Sequence, residues 1–259
     1  MRRNAAICMT MLLACTLSPL QAGAIEVYVR GAVAHEGARQ LPTKARLADA
    51  ALAAGVDLDA YTAGAAWLRP SLLSEQARLK AGVLFDLDAV RQQAIRDDRE
   101  DVAGIAASLY TWLQAMPATG RQVALLDPRA VEITPAENRT VLDGDTLYYP
   151  RRPTDVRVVG AVVNACELAH VALRDARDFL RACPRSSVAD GDWIFVIQPD
   201  GRVFKQGVGL WNAGSPMPLA PGAMIFVPLR ESAVHVAPDV NREMAEFLAT
   251  QPVGSTDAP

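Results

Sequence analysis

Two short stretches decide the fold: residues 27–33 read VYVRGAV, and residues 156–162 read VRVVGAV. Both follow the pattern V-x-V-x-G-A-V, and the two copies begin 129 positions apart. Alternation of β-branched residues with other side chains predicts a β-strand in each copy. The glycine at the fifth position indicates a bulge or a close approach by another backbone segment.

The sequence that follows each strand is repeated as well. The motif L-x-D-A opens one predicted helix at residue 47 and another at residue 173. Because these motifs lie 126 positions apart, we predict that the strand-to-helix connection is three residues shorter in the second copy. Each copy then closes with a turn, a short apolar strand and a proline, Pro150 or Pro228. These features, in the same order, predict a duplicated domain.

The first copy is longer than the second because it contains an insertion. Two runs of apolar residues at helical spacing flank the charged segment 97–101, and they predict a helical hairpin at about residues 65–117. The second copy reads strand, helix, β-hairpin and strand, which predicts an α+β domain with a mixed sheet. The predicted organisation is a leader at 1–24, a first domain at 25–150, a second domain at 151–229, and a C-terminal helix and tail at 230–259.

The N-terminus has the composition of a secretory leader. Arg2 and Arg3 precede an apolar run, and residues 22–24 (AGA) form a small-residue cleavage site, so we expect an exported chain. One alternative is a retained membrane helix, although a membrane span needs about 20 apolar residues. The other alternative is lipid attachment at Cys15. The formal charge of −3 and the lack of a Lys/Arg run argue against nucleic acid as a partner.

Cys166 and Cys183 are the two cysteines that remain once the leader is removed. An oxidising exported compartment favours a disulfide bond between them. The two cysteines are 17 positions apart. Closing a loop of that length would stabilise the fold by on the order of 3 kcal/mol. Two buried thiols are the alternative, because the sequence does not give the distance between the Cα atoms.

Residues able to catalyse a reaction do not form a recognised motif. His35, His170 and His235 show no metal-ligand spacing, and neither a nucleophile motif nor a phosphate-binding glycine loop occurs. The pairs Asp143-Gly-Asp145 and Asp190-Gly-Asp192 are typical of turns, although a glycosidase also uses two carboxylates. We therefore expect no catalytic residue, no metal and no cofactor.

A short amphipathic pattern lies near the C-terminus. Val240, Met244, Phe247 and Leu248 fall on one face of a predicted helix that is too short to be stable alone in water. We expect this face to be buried on the chain's own body, and the alternative is a partner protein or a membrane surface. Nine helical residues reach about 14 Å, less than a hydrocarbon core of about 30 Å. Residues 251–259 are expected to be disordered.

The repeated strand, helix and closing turn resemble the SLBB-like β-grasp modules of capsule polysaccharide export proteins. With the hairpin insertion, the leader and the C-terminal helix, nearly all of residues 27–248 resemble the GfcC family of capsule biosynthesis proteins. This resemblance implies a periplasmic protein with two tandem β-grasp domains, similar to those of Wza-type outer-membrane exporters. It also implies a role beside a capsule or exopolysaccharide export system, in a protein that is not itself the pore.

The resemblance also draws attention to Thr119, Gly120 and Arg121, which follow the hairpin. A guanidinium suits the carboxylates of acidic sugars, and the hairpin should bring Arg69 near Arg121. We therefore predict that these four residues contact polysaccharide or a partner. The alternative is a structural salt bridge between Arg121 and a local Asp or Glu.

Three tryptophans have the chemistry to stack on a sugar ring: Trp67, Trp193 and Trp211. We expect core positions for all three, with sugar stacking as the alternative. The leading hypothesis is a non-enzymatic accessory protein that binds polysaccharide or an exporter component. The alternatives are a lyase or hydrolase in which Arg121 neutralises a uronate carboxylate, and an outer-membrane exporter subunit.

Overall fold

The computed structural model describes residues 23–254. Of the predicted leader, residues 1–22 lie outside the described residues, as do residues 255–259 of the tail. The described chain is α+β, with two five-stranded mixed sheets. The strands are β1 (Ala24–Gly31), β2 (Gly37–Pro42), β3 (Ala66–Leu68), β4 (Arg121–Gln122), β5 (Thr146–Tyr149), β6 (Asp155–Gly160), β7 (Cys166–Ala169), β8 (Trp193–Ile197), β9 (Val203–Gly207) and β10 (Met224–Val227). The helices are α1 (Leu47–Ala54), α2 (Leu73–Arg96), α3 (Glu100–Ala115), α4 (Pro128–Ile133), α5 (Ala176–Arg181) and α6 (Val240–Ala249).

The two sheets have the same topology. Their strand orders are β2-β1-β5-β3-β4 and β7-β6-β10-β8-β9. In each sheet the first strand in the chain pairs antiparallel with the second and parallel with the last. The last strand in turn pairs antiparallel with the third. The repeated V-x-V-x-G-A-V pattern therefore marks the first strand of two sheets built on one plan.

Backbone bridges outside the strands show how the two copies align. The bridge between Val33 and Val56 corresponds to the bridge between Val162 and Arg185, and both partners are shifted by 129 positions. The predicted three-residue shortening of the second connection is therefore wrong. The first strand and the segment that follows it are offset by the same 129 positions between the two copies.

The repeated L-x-D-A motif misled this prediction because its two copies are not structurally equivalent. Arg46 is the N-cap of α1, and Asp175, 129 positions later, is the N-cap of α5. Asp49 instead lies in the first turn of α1, where its Oδ2 accepts a hydrogen bond from Arg46 N (2.8 Å). Leu173 lies before α5 with a left-handed φ of 61°.

The glycine of each repeated strand is required by a close backbone approach, as its position predicted. Gly31 and Gly160 have φ values of 94° and 102°. A Cβ atom would lie 2.1 Å from the carbonyl oxygen of Tyr149 at Gly31 and 2.3 Å from that of Val227 at Gly160. A side chain at either position would clash with the last strand of its own sheet.

The inserted hairpin is formed by α2 and α3, but it differs from its prediction in two respects. It begins after β3, so residues 66–68 belong to the first sheet rather than to the insertion. Its buried residues, among them Leu87, Leu109 and Trp112, share one hydrophobic cluster with the second sheet and α6. The hairpin therefore leaves the first domain and completes the core of the second.

The C-terminal helix is also part of that core. Val240, Met244, Phe247 and Leu248 are all buried, so the apolar face of α6 is covered by the chain itself. The alternative of a membrane or partner contact through this face does not agree with the structure. Within residues 23–254, no helix combines the length and apolar character needed to cross a membrane. The disorder expected from residue 251 is wrong for Gln251 and Pro252, which are buried.

Candidate functional site

Arg121, the central residue of the predicted site, is buried in the junction between the two domains. Its side chain is on β4, and the residue is only 6% exposed. Nη1 donates to the carbonyl oxygens of Gln251 (3.0 Å) and Ala249 (3.3 Å). Nη2 donates to the carbonyl oxygens of Ala65 (3.4 Å) and Pro199. One guanidinium therefore joins the first domain, the β8–β9 turn of the second domain and the end of α6.

This environment gives Arg121 a structural role. Burial lowers the pKa of Arg121 to about 10, while the negative charge of Asp200 opposes that shift, so the side chain stays charged at neutral pH. The predicted salt bridge to an Asp or Glu is absent from the ion pairs of the described residues. The predicted ligand contact does not agree with the placement either, because carbonyl groups of the chain occupy the guanidinium.

Thr119 and Gly120 belong to the same junction. Thr119 Oγ1 donates to the carbonyl oxygen of Thr250 (2.6 Å), and Gly120 N donates to Oε1 of Gln76 on α2 (2.7 Å). Gly120 has a φ of 73°, and a Cβ atom there would lie 2.2 Å from the carbonyl oxygen of Arg69. The Thr-Gly-Arg segment thus ties β4 to the hairpin and to the C-terminal residues.

Arg69 lies beside Arg121 in the backbone but does not form a site with it. Arg69 N donates to the carbonyl oxygen of Gly120 (2.9 Å), so the predicted fold-back of the hairpin is present. The register pairs Arg121 with Leu68, and consecutive residues of a strand point to opposite faces. The Arg69 guanidinium lies 4.4 Å from the centre of the Trp67 ring. The two arginines therefore have separate partners.

The two Asp-Gly-Asp pairs stabilise turns, in agreement with their sequence pattern. Asp145 is buried and accepts hydrogen bonds from Trp67 Nε1 (2.9 Å) and Leu142 N (2.8 Å). Asp190 Oδ1 accepts hydrogen bonds from the backbone N–H groups of Asp192 (2.8 Å) and Trp193 (3.0 Å). The carboxylates are thus used by their own loops and the adjacent strands.

The surroundings of Arg121 do not resemble a catalytic cleft. The cavity that Arg121 lines has a volume of about 20 Å³, and its lining contains no Asp, Glu, His or Tyr side chain. Across residues 23–254, no group of three or more His, Cys, Asp or Glu side chains could hold a metal ion. The enzyme hypothesis required acid–base groups clustered in one cleft with Arg121, and the residues that line this small cavity do not include such a cluster.

The expectation that all three tryptophans lie in the core is wrong. Trp67 is fully buried, Trp193 is half-buried at the start of β8, and Trp211 is 74% exposed. The rings of Trp193 and Trp211 meet edge to face, with centroids 6.2 Å apart and planes at 85°. Lys205 Nζ lies 4.5 Å from the centre of the Trp193 ring. We call Asp192, Trp193, Lys205, Trp211 and Asn212 the tryptophan surface.

The loop that carries Trp211 is held firmly against Asp192. The indole Nε1 donates to Asp192 Oδ1 (3.0 Å), and Asn212 Nδ2 donates to the Asp192 carbonyl oxygen (2.9 Å). A Cβ atom at Gly209 would lie 2.4 Å from Asp192 Oδ1, and one at Gly207 would lie 2.1 Å from the Asn212 carbonyl oxygen. Glycines at 207 and 209 therefore let the loop pack closely on β9 and Asp192. The hydrogen bonds to Asp192 then hold the exposed ring in place.

A disulfide bond joins Cys166 on β7 to Cys183 just after α5. Their Cα atoms are 6.0 Å apart, a distance typical of a disulfide. The bond ties the edge strand of the second sheet to the helix that covers one face of that sheet.

The sequence did not indicate every residue of this surface. Lys205 lies in the predicted return strand of the β-hairpin, but no sequence motif marks it as a functional residue. Alternation along that strand would have placed Lys205 on the same face as Trp193, because Lys205 pairs with Phe195 and residue 207 pairs with Trp193.

The fold and the surface define a class of protein: two α+β units of common topology, with a fixed exposed tryptophan on the second. Residues 164–252, which contain the tryptophan surface, match the family model described as "Capsule biosynthesis GfcC C-terminal". The chain is 29% identical over 186 residues to the "Uncharacterized protein YjbG" of Escherichia coli (strain K12), covering 70% of this chain and 75% of that relative. Residues 164–252 are thus similar to the C-terminal part of the GfcC family of capsule biosynthesis proteins.

Proposed function

We propose that this chain is a periplasmic, non-enzymatic accessory protein of capsule or exopolysaccharide biosynthesis and export. In this proposal the two matching sheets are tandem β-grasp modules of the SLBB-like kind, and the second module binds polysaccharide through the tryptophan surface. The family match over residues 164–252 supports the link to capsule polysaccharide, and the predicted secretory leader supports the compartment.

The exposure of Trp211 is the observation that carries the binding proposal. An indole ring left 74% exposed forgoes the stabilisation that burial of a large apolar side chain provides, on the order of 2 kcal/mol. The ring is nevertheless fixed by Asp192 and by the edge of Trp193. A rigid, exposed aromatic side chain loses little conformational entropy when a ligand packs on it.

The polar groups beside the ring fit the chemistry of a sugar. The C–H face of a pyranose ring is apolar and packs on an aromatic face, while its hydroxyl groups need hydrogen-bond partners at the rim. Asp192 provides a carboxylate acceptor, Asn212 an amide and Lys205 an ammonium donor next to the two rings. The surface thus combines a stacking platform with both kinds of hydrogen-bonding group.

The same geometry favours binding over catalysis. Trp211, Trp193 and Lys205 form an open platform on the second domain, whereas a lyase or hydrolase needs converging acid and base groups. The junction around Arg121, the site named by the enzyme hypothesis, is closed by carbonyl groups. The accessory role is therefore the function that this arrangement supports best.

A binding experiment tests the proposal directly. The purified mature chain is titrated calorimetrically with polysaccharide fragments from the strain that carries the gene. We expect Trp211→Ala to weaken binding by at least tenfold, about 1.4 kcal/mol, and Trp211→Phe to lose less because it keeps an aromatic face. Leu210→Ala, at the fully exposed neighbouring position, is the matched control and should bind like the wild type.

Two further measurements complete the test. Deletion of the gene should reduce surface polysaccharide, and cell fractionation should recover the mature chain with the periplasm. Normal surface polysaccharide in the deletion strain would refute the biological role. Wild-type affinity in Trp211→Ala would refute the tryptophan surface as the binding site and leave an exporter component as the ligand to examine.

A further inference from the structure

A second polar groove lies where the two domains meet, on a different set of residues from the tryptophan surface. It has a volume of about 380 Å³ and is bounded by the end of β5, the linker between the domains and the strands β6 and β7. We call it the junction groove, and its lining includes Tyr148, Arg151, Asp155, Arg157, Glu167 and Gly222. Both domains contribute to it, so its shape depends on how they are fixed together.

The junction groove continues onto an open face of the first sheet. Tyr148 pairs in register with Arg30 on β1, and both side chains lie on the face opposite the buried residues Val29 and Leu147. Arg30 is exposed on that face. The Tyr148 ring lies across the backbone of Gly31, 3.3 Å from where a Cβ atom would be. The groove therefore has the Tyr148 ring at its entrance. The ring can lie there because residue 31 is a glycine, and a side chain at that residue would push the ring away.

The floor of the groove is held by contacts within the second domain and by one hydrogen bond from the first. Tyr61 Oη donates to the carbonyl oxygen of Pro221 (2.9 Å), and Gly222 N donates to the carbonyl oxygen of Asp155 (2.7 Å). A Cβ atom at Gly222 would lie 2.7 Å from Pro153 Cγ and 3.0 Å from Val253 Cγ1. The linker and the C-terminal segment thus pack directly on this glycine, which makes the groove a fixed feature rather than a gap between mobile domains.

The charges that line the groove are balanced. Two arginines and two carboxylates contribute to the lining. Arg151 forms an ion pair with Asp59 (3.1 Å), and Arg157 lies opposite Glu167 in the register of β6 with β7. The groove therefore offers both charged donors and charged acceptors, without an excess of either sign. A ligand rich in hydroxyl groups can use both kinds, because each hydroxyl both donates and accepts a hydrogen bond.

We infer that the junction groove binds an uncharged, hydroxyl-rich segment of the polysaccharide, with the Tyr148 ring packed against one sugar. This inference rests on the proposed function and adds a second contact and a substrate class to it. A carboxylated sugar gains no net attraction here, because its charge would lie beside Asp155 and Glu167 as well as beside the two arginines. Two contacts on one polymer would also raise the avidity of the chain for long polysaccharide.

Point variants of the mature chain test this inference. Tyr148→Ala removes the ring, Tyr148→Phe keeps it, and Glu167→Gln replaces a carboxylate at an exposed position. In calorimetric titrations with the polysaccharide fragments, we expect at least a fivefold loss of affinity for Tyr148→Ala and a threefold loss for Glu167→Gln. Tyr148→Phe should lose less affinity than Tyr148→Ala because it keeps the ring. The control Glu132→Gln, an exposed position on α4, should stay within twofold of the wild type. Urea midpoints check that each variant is folded, and Glu167→Gln carries the test should Tyr148→Ala unfold.

A second arm tests the substrate class. The same polysaccharide is titrated before and after chemical reduction of its carboxyl groups to alcohols, and we expect the Tyr148-dependent part of the affinity to persist after reduction. Its loss on reduction would overturn the assignment to an uncharged segment. Wild-type affinity in both Tyr148→Ala and Glu167→Gln, with Trp211→Ala still defective, would overturn the groove and leave the proposed function standing. Failure of the wild-type chain to bind any of the polysaccharide would instead contradict the proposed function itself.

Discussion

Replacement of Arg121 by alanine should destabilise the chain strongly, because the guanidinium is a structural joint. The side chain makes four hydrogen bonds to carbonyl oxygens, two of them long at 3.3 and 3.4 Å. A hydrogen bond to a charged group contributes about 1.5–3 kcal/mol. If the two shorter bonds, to Gln251 and Pro199, are counted in full, the expected loss is about 3–6 kcal/mol. That is a large fraction of the total stability of a typical domain, about 5–15 kcal/mol.

The loss can be measured as the free energy of unfolding in urea, followed by circular dichroism and tryptophan fluorescence. Arg129→Ala, an exposed arginine on α4, is the matched control and should change stability by less than about 0.5 kcal/mol. Arg121→Lys should give an intermediate loss, because one ammonium group cannot reach all four carbonyl oxygens. Amide hydrogen exchange should also accelerate around residues 250–253 in Arg121→Ala, since their anchor is gone.

One result would refute this reasoning. If Arg121→Ala unfolds at the wild-type urea concentration and yet fails to bind polysaccharide, the side chain acts on the ligand and not on the junction. The buried position in the structure would then represent a closed state that opens to bind.

Two further predictions concern the second domain. Replacing both Cys166 and Cys183 by serine should lower the free energy of unfolding by about 3 kcal/mol, the amount expected for a separation of 17 residues. Reduction of the wild type with dithiothreitol should likewise lower its urea midpoint, and an unchanged midpoint would contradict this prediction. Partial burial alone would raise the pKa of Asp175, but hydrogen bonds from the Arg177 side chain and from the backbone N–H groups of Arg177 and Met217 hold it below 3.8. The ionised carboxylate therefore stabilises the fold above pH 3.8, and that stabilisation is lost as the pH falls through the folded-state pKa. Asp175→Asn should be less stable than the wild type at pH 7, with a difference that shrinks as acid unfolding is measured towards pH 3, and a difference independent of pH would count against the assignment.

Local patterns in the sequence predicted the elements well and their equivalence less well. The repeated strand led to two sheets of one topology because side-chain alternation is set by the strand itself. The L-x-D-A repeat suggested an offset of 126, whereas the capping residues Arg46 and Asp175 keep the offset of 129. A short motif match cannot decide between two offsets that differ by about one helical turn, because both place apolar residues on the same helix face.

The candidate site was harder to predict because exposure depends on contacts between distant segments. An arginine beside a glycine suggests a surface ligand contact, yet Arg121 is enclosed by carbonyl groups that arrive from residues 65, 199, 249 and 251. The amphipathic pattern of α6 identified the buried face correctly but not the surface that covers it. The prediction that Trp211 lies in the core is wrong, because the ring is exposed. The sequence around a tryptophan carries no local signal that the ring will stay in solvent.

The shared core of the hairpin, the second sheet and α6 has a consequence for how the chain matures. The segment matched as the C-terminal part of the family, residues 164–252, omits α2 and α3, which supply side chains to that core. Such a fragment, produced alone, should be insoluble or molten. Because α6 supplies buried side chains to that core, the second half cannot finish folding until residues 240–249 have been synthesised. Helix α6 therefore completes the second core, and a chain cut short by a premature stop before residue 240 should be degraded rather than accumulate as a folded first half.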